Sequence, residues 1–280
     1  MNRLLSSIFL CIATIASIAQ QKADIMVGYD FSFRNWESDS ILHSRRTLLA
    51  SPTAAKYYND ISLWNDSLSS TPEGKEQLNQ IIMAACITHS PDGGITFDTR
   101  KGPVKKVHNY IFSDLSAENI RFYDKFGDTQ GFYDEPWGEI QWQLTDSTAT
   151  VLGYECIAAQ ADYHGRHWTA WFAPELPIPF GPWKLRGLPG LILKARSDND
   201  IEFTATGLEQ TDRIMSPMYS PDNYRKMERK KALEEEEYFF NNREAIIKAS
   251  FSGNVQFNYN TADRPKYDPA KYAAEPDYRQ

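Results

Sequence analysis

No excess of positive charge runs through this chain. Its 280 residues carry 30 Lys and Arg against 37 Asp and Glu, a formal net charge of −7. A nucleic-acid binder needs a basic face, so that class is disfavoured. Catalytic signatures are missing too: there is no nucleophile elbow, no phosphate-binding glycine loop and no zinc-protease helix motif. Nothing in the sequence calls for a cofactor or a resident metal. The apolar run from Leu4 to Ile18 falls short of the ~20 residues that span a bilayer. Cysteine is scarce, with only Cys11, Cys86 and Cys156.

That apolar run instead has the form of an export signal. Arg3 supplies a positive start, Leu4 to Ile18 the apolar centre, and Ser17-Ile18-Ala19 the small residues a signal peptidase reads. Cleavage after Ala19 is expected, giving a periplasmic or secreted protein that does not span a membrane. Cys11 lies inside the apolar run without the small residue that precedes a lipidated cysteine. Removal of the signal leaves Cys86 and Cys156. In an oxidising compartment these are candidates for a disulfide, with two buried free thiols as the alternative. A bridge would close a loop of about 70 residues, worth roughly 4 kcal/mol at most.

Aromatic residues make up 13% of the chain, which favours a β-rich body. Ile25, Val27, Tyr29, Phe31 and Phe33 alternate with more polar residues, a period-2 strand with one apolar face. Ser40 to Ala50 gives a weaker strand, and Ala55 to Leu63 is ambiguous with a short helix. Ser70-Thr71-Pro72-Glu73 starts a helix that runs to Cys86 with apolar spacing at Leu78, Ile81, Ile82 and Ala85. Strands are expected over Val104–Phe112, Asn119–Phe126, Gly131–Tyr133, Trp137–Leu144, Thr150–Asp162 and Arg166–Phe172. Asp134-Glu135 reads as a turn. Leu191–Arg196 and Ile201–Glu209 form a hairpin through Asp198-Asn199-Asp200. The composition then changes. Residues 20–211 read as an antiparallel β domain, and 212–280 as a C-terminal helical segment with an extended tail, whose order the sequence leaves open.

One stretch organises the rest. Five prolines lie between Pro174 and Pro189, so the chain there crosses as a stiff extended segment and not as a helix. Leu188-Pro189-Gly190-Leu191 has the residues of a type II turn, with Gly190 at the positive-φ position. Leu191, Ile192 and Leu193 then suit a strand buried on both faces.

The string Gly187-Leu188-Pro189-Gly190-Leu191-Ile192 resembles the signature of the GLPGLI family of secreted Bacteroidetes proteins. Gly181-Pro182, Ala170-Trp171-Phe172, Glu175-Leu176-Pro177, Gly153-Tyr154-Glu155-Cys156 and Gly165-Arg166 extend the resemblance, which is strong from about Val151 to Thr206. The family's molecular function is unestablished. The resemblance implies a mainly β fold with α additions: a curved antiparallel meander, an open half-barrel or bowl. A similar module forms a bowl-shaped, non-catalytic N-terminal domain in a bacterial glycan-releasing amidase. The family's genes often neighbour outer-membrane TonB-dependent receptors, which implies such a receptor as a partner.

Residues with chemical potential are few. Trp137, Trp142, Trp168, Trp171 and Trp183 are concentrated in the central third and can line a groove for a sugar or peptide. Trp168 and Trp171 fall on opposite faces of one strand. Arg166, Lys184 and Arg186 flank the motif and can pair with a ligand carboxylate or clamp the crossing. The candidate ligand-binding set is therefore Trp168, Trp171, Trp183, Arg166 and Arg186. His164 and His167 sit close in sequence, with Met215 and Met218 as soft ligands for a copper site, against a plainer reading as turn and packing residues. Glu139 and Glu155 are candidates for a hydrolytic carboxylate pair. The favoured reading is a non-enzymatic binding or accessory module beside a TonB-dependent system. A secreted hydrolase acting on glycan or peptide is the alternative, as is a carrier for an apolar ligand.

Overall fold

A computed structural model describes residues 21–279, apart from 90, 92, 99, 216–218, 220 and 251–264. The expected export signal and Met218 lie outside the described residues. The elements in order are β1 (Ile25–Arg34), β2 (Ile41–Ala50), β3 (Ala54–Tyr58), α1 (Asp60–Ser69), α2 (Pro72–Cys86), β4 (Ile87–His89) and β5 (Ile95–Phe97). Next come β6 (Tyr110–Asp114), β7 (Asn119–Phe126), β8 (Thr129–Pro136), β9 (Gln143–Val151), β10 (Tyr154–Tyr163), β11 (Arg166–Ala173), β12 (Leu191–Ser197) and β13 (Glu202–Gln210). The chain finishes with β14 (Arg225–Lys226), α3 (Arg229–Ser250), α4 (Pro269–Tyr272) and a 3-10 turn at Pro276–Arg279.

Among the described residues twelve strands form one sheet in the order β14-β8-β7-β6-β3-β2-β1-β13-β12-β11-β10-β9. Every pairing in it is antiparallel except β14 on β8. The fold is mainly β with helical additions, as the alternating patterns imply. Two tight hairpins pin the register. Leu152-Gly153 joins β9 to β10 and His164-Gly165 joins β10 to β11, each with both residues at positive φ. Such turns match the natural twist of paired strands.

The sheet curls back on itself. Glu135 on β8 and His164 at the β10–β11 turn are eight or nine interstrand steps apart, about 38 Å or more along a flat sheet. Their side chains nevertheless lie 3.3 Å apart. The inner face of the curl carries the main core, including Val27, Tyr29, Leu48, Tyr57, Ile111, Phe122, Trp168 and Phe203. A second cluster on the other face joins Leu49, Ala54, Tyr58, Tyr110 and Tyr123.

The helix starts follow local chemistry. Thr71 caps α2 by accepting from Gly74 N, with Pro72 in the first position. Asn59 caps α1 in the same way through Ser62 N. The ambiguous stretch after Ala55 thus divides into β3 and α1. Other expectations change. Residues 137–142 are irregular, and β9 begins only at Gln143. The strand expected from Val104 begins at Tyr110. Asp134-Glu135 is not a turn but part of β8, where Asp134 pairs with Arg121 at 2.5 Å. Residues 265–279 include α4 and the 3-10 turn and dock on the body.

The expected disulfide does not form. Cys86 and Cys156 are both buried free thiols. Cys86 ends α2 beside Gly102, whereas Cys156 sits on β10, next to the edge strand β9.

The motif turn also differs from expectation. The positive φ belongs to Gly187 (+85°) and not to Gly190. Gly190 donates to Leu188 O across Pro189 at 2.8 Å, a three-residue turn. Glycine is required there for space: a Cβ would lie 2.3 Å from Ala173 O on β11. At Gly181 a Cβ would meet Ile192 Cβ at 2.6 Å. The signature glycines therefore let the proline-rich crossing lie flat against β11 and β12.

Candidate functional site

The crossing delivers one charged side chain to the interior. Trp183 takes φ +56°, an unusual value for a bulky residue, and the next residue, Lys184, is 1% exposed. Its Nζ donates to Glu135 Oε1 (2.8 Å), Glu275 Oε1 (2.6 Å) and Tyr133 Oη (3.0 Å). Arg229, at the start of α3, reaches Glu135 (3.0 Å), Glu275 (2.7 Å) and Asp277 (2.5 Å). His164 completes the cluster, with Nε2 3.3 Å from Glu135 and Nδ1 3.2 Å from Asp277.

Three acids thus face a lysine, an arginine and a histidine. Burial pushes Glu135 upward, but Lys184 and His164 outweigh it and hold the carboxyl down to about 2. Asp277 is likewise held below its ordinary value by His164 and Arg229 against burial. Burial disfavours a charged His164, yet hydrogen bonds to Asp277 and Glu135 raise it above 6.5. Glu135, His164 and Glu275 bring ligand atoms within 4.8 Å of one another, a spacing that a metal could use. Lys184 and Arg229 already fill the space between these carboxylates, so the donor set does not fit a cation. The cluster is a fastening.

What it fastens is the C-terminal strap, residues 265–279. Arg166 donates to Ala273 O (2.7 Å) and Pro269 O (3.1 Å), and Asn199 Nδ2 to Ala273 O (3.1 Å). Lys271 pairs with Asp39 at 2.9 Å, and Tyr278 donates to Glu237 at 2.7 Å.

Beneath the strap and α3, on the inner face of the sheet, lies a cavity of about 210 Å³. Phe31, Phe122, Phe126, Tyr133, Trp168, Trp183, Phe203, Tyr267 and Tyr272 provide its aromatic lining. Phe31, Phe203, Trp168 and Trp183 form a continuous run of stacked rings, with centroids 4.9, 6.2 and 5.4 Å apart. The polar lining is Asn109, Asp124, Glu236 and Glu275. The side-chain oxygen of Asn109 is buried with no hydrogen-bond partner. Burial pushes Asp124 up to about 7. Burial, together with Asp124 and Glu275, pushes Glu236 up to about 8. Both side chains are half-buried; the open space they see is this cavity.

The residues singled out from sequence divide. Trp168 and Trp183 are brought together on the cavity wall. Trp171 points to the other face of β11, with Lys194 Nζ 5.6 Å above its ring. Arg166 binds the strap, and Arg186 binds Tyr163 Oη, Lys184 O and Gly138 O. Both arginines engage the protein itself. Gly187 to Ile192 shape the crossing. His164 and His167 do not share a site: His167 is exposed and bonds Asp162 at 2.8 Å. Glu139 and Glu155 are exposed and far apart in the fold, so they form no carboxylate pair. Met215 packs in the outer-face cluster. Asp124, Glu236 and Glu275 escaped sequence reading. Asp124 stands in phase with Ile120, Phe122 and Phe126 on a buried strand face, a misplaced charge that was the available signal.

No family model and no curated protein matches this chain. Among solved structures, PNGF-II in a C2 crystal form superposes with a TM-score of 0.50 at 11% identity, covering 76% of this chain and 32% of that one. Its P21 form gives 0.47 at 10% identity, with 76% and 33% covered. A domain assigned to an outer membrane lipoprotein-sorting protein of Vibrio parahaemolyticus gives 0.20 at 9% identity, with 72% and 89% covered. This chain spans about a third of the length of PNGF-II, and the likeness is one of fold alone. No helix among the described residues is long and apolar enough to cross a membrane.

Proposed function

We propose that this protein is a non-enzymatic binding module of the cell envelope that holds a small ligand in the cavity beneath its C-terminal strap. The observation that carries this reading is the cavity itself. Aromatic residues line it, and the buried side-chain oxygen of Asn109, which faces it, has no hydrogen-bond partner. An interior that merely fills itself leaves neither the space nor the unpaired group. The residues of the GLPGLI signature support membership of that family, and the export signal supports a periplasmic location. The association with a TonB-dependent receptor rests on that family placement.

The geometry disfavours hydrolysis. His164 has both ring nitrogens engaged in the ion cluster. Asp124 and Glu236 are the one carboxyl pair in the cavity not bound to a cation, and both are pushed in the same direction. An acid–base pair needs environments that drive the two apart. The polar lining also distinguishes the site from a dry pocket for an apolar ligand.

The test is to isolate the protein from its native periplasm without denaturation and identify bound small molecules by mass spectrometry. A reproducible ligand is expected, lost in Ala274→Phe, which fills the cavity from the strap. A ligand retained in that variant would place the site elsewhere.

A further inference from the structure

Four carboxyl or amide side chains face the cavity, yet no lysine, arginine or histidine does. Glu275 is neutralised by Lys184 and Arg229. Glu236 makes no hydrogen bond or ion pair among the described residues. Among the described residues Asp124 accepts only from the neighbouring Lys125 N, at 2.7 Å. These two acids approach the space from opposite sides, Asp124 from β7 in the sheet and Glu236 from α3 above it. The unpartnered Asn109 oxygen sits on β7's neighbour, one residue before the Tyr110–Tyr123 pair and therefore beside Asp124. The unpartnered Asn109 oxygen is an acceptor and the two acids become acceptors on ionising, while the donors in the lining, the Asn109 amide nitrogen and the Tyr267 hydroxyl, are uncharged. An anion would meet no positively charged side chain in the lining, and would face repulsion once either acid ionised.

The surrounding rings already accommodate cations. Lys184 Nζ lies 4.9, 4.8 and 5.6 Å from the ring centroids of Phe122, Tyr133 and Trp183. The Arg46 guanidinium lies 5.0 Å from that of Phe31. All four rings also line the cavity. Aromatic walls with carboxylates are the chemistry that holds desolvated ammonium groups. Deepening the binding role proposed above, and resting on it, we infer that the cavity takes a small organic cation, an amine or quaternary ammonium, with Asp124 and Glu236 as its counter-charges.

This assignment carries a proton signature. Without ligand both acids titrate near neutral pH: the cost of desolvating their charged forms raises each, and Asp124 adds to the rise of Glu236. Arg46 and Lys105 pull Asp124 the other way, and Glu275 adds to the pressure on Glu236. A bound cation drives the protons off, so affinity rises with pH until the acids are ionised without it.

The experiment is calorimetric titration of the full protein, at matched ionic strength, with three probes of similar size. They are tetramethylammonium, neutral tert-butanol and anionic pivalate. Tetramethylammonium should bind at least tenfold more tightly than either, release protons to buffer, and gain affinity between pH 6 and 8. Asp124→Asn with Glu236→Gln should cut its affinity at least tenfold while leaving tert-butanol unchanged. Glu236→Gln alone, on the helix, serves if the double variant does not fold. Equal binding of tert-butanol, or a preference for pivalate, overturns the cation assignment and leaves the cavity as a binding site. Failure of all three probes, together with a native ligand that survives Ala274→Phe, overturns the cavity reading as well.

Discussion

Lys184 Nζ and Glu275 Oε1 lie 2.6 Å apart in the protein interior, although 91 residues separate them in sequence. The pair joins the proline-rich crossing to the C-terminal strap, and the strap roofs the cavity. Structural integrity of the signature and closure of the binding space therefore depend on the same bond.

Breaking that pair from one side should be costly. Lys184→Met leaves Glu135 and Glu275 short of a counter-charge in a buried site. A loss of about 3–5 kcal/mol is expected, read from urea denaturation. The companion Lys184→Met/Glu275→Leu should recover part of that loss, because the orphaned charge is gone. A double variant as unstable as the sum of its singles would show that the two groups act independently.

The cluster also sets a pH window for the strap. Glu135 and Asp277 are depressed, so their contribution is present above the ordinary carboxylate range and is lost as pH falls toward 2. His164 is raised, so its contribution is full below about 6.5 and disappears once pH passes its folded value. Protection factors of the amides at 265–279, which remove the intrinsic pH dependence of exchange, should be highest between pH ~4.5 and ~6.5. Protection that keeps rising above that range would contradict the role of His164.

Asp124 and Glu236 act with the opposite sign to the other acids. Their folded values, about 7 and about 8, lie above those of the unfolded chain. The folded state holds the extra protons, so stability falls as pH rises from ~4 through 8. Asp124→Asn/Glu236→Gln should remove this decline and stabilise the ligand-free protein at pH 8.5 by on the order of 1–3 kcal/mol. Unchanged pH dependence of the melting temperature would argue that water hydrates both groups freely.

Two signature glycines should respond differently. Gly190→Ala places a methyl group against Ala173 O, at 2.3 Å before relaxation, and is expected to cost about 2–4 kcal/mol. Gly187→Ala meets nothing within 4 Å and suffers only its φ of +85°, a cost of about 1–2 kcal/mol. Thermal melts of the two variants should rank them in that order.

Alkylation of the denatured, unreduced protein should modify both Cys86 and Cys156. Protection of the two together would mean that they are bonded after all.

Much of the architecture was legible in the residues. The alternation from Ile25 to Phe33 gave β1, and Thr71-Pro72 gave the start of α2. The prolines from Pro174 to Pro189 gave the extended crossing. Errors arose where local rules met distant neighbours. Residues 137–142 have strand-forming side chains, yet Trp142 Nε1 donates to Arg186 O at 2.8 Å and the stretch packs on the crossing. Gly190 looked like a turn requirement because Pro-Gly encodes one; the backbone of Ala173 was invisible from sequence. The cavity was half legible: two of its tryptophans stood out, whereas its acids did not.

The sequence by itself determined most of the strands and the helix starts, because backbone sterics, capping and periodic burial act over a few residues. It also determined that the crossing would be rigid, through fixed proline φ angles. Only the tertiary structure decided that the sheet curls far enough to bring β8 against the β10–β11 turn, and which acids meet which cations. Those outcomes depend on Coulomb forces and packing between groups distant in sequence, such as Lys184 and Glu275, 91 residues apart, and Arg166 and Ala273, 107 apart. No local pattern records such distances, so the cavity and its roof exist only once the chain has closed.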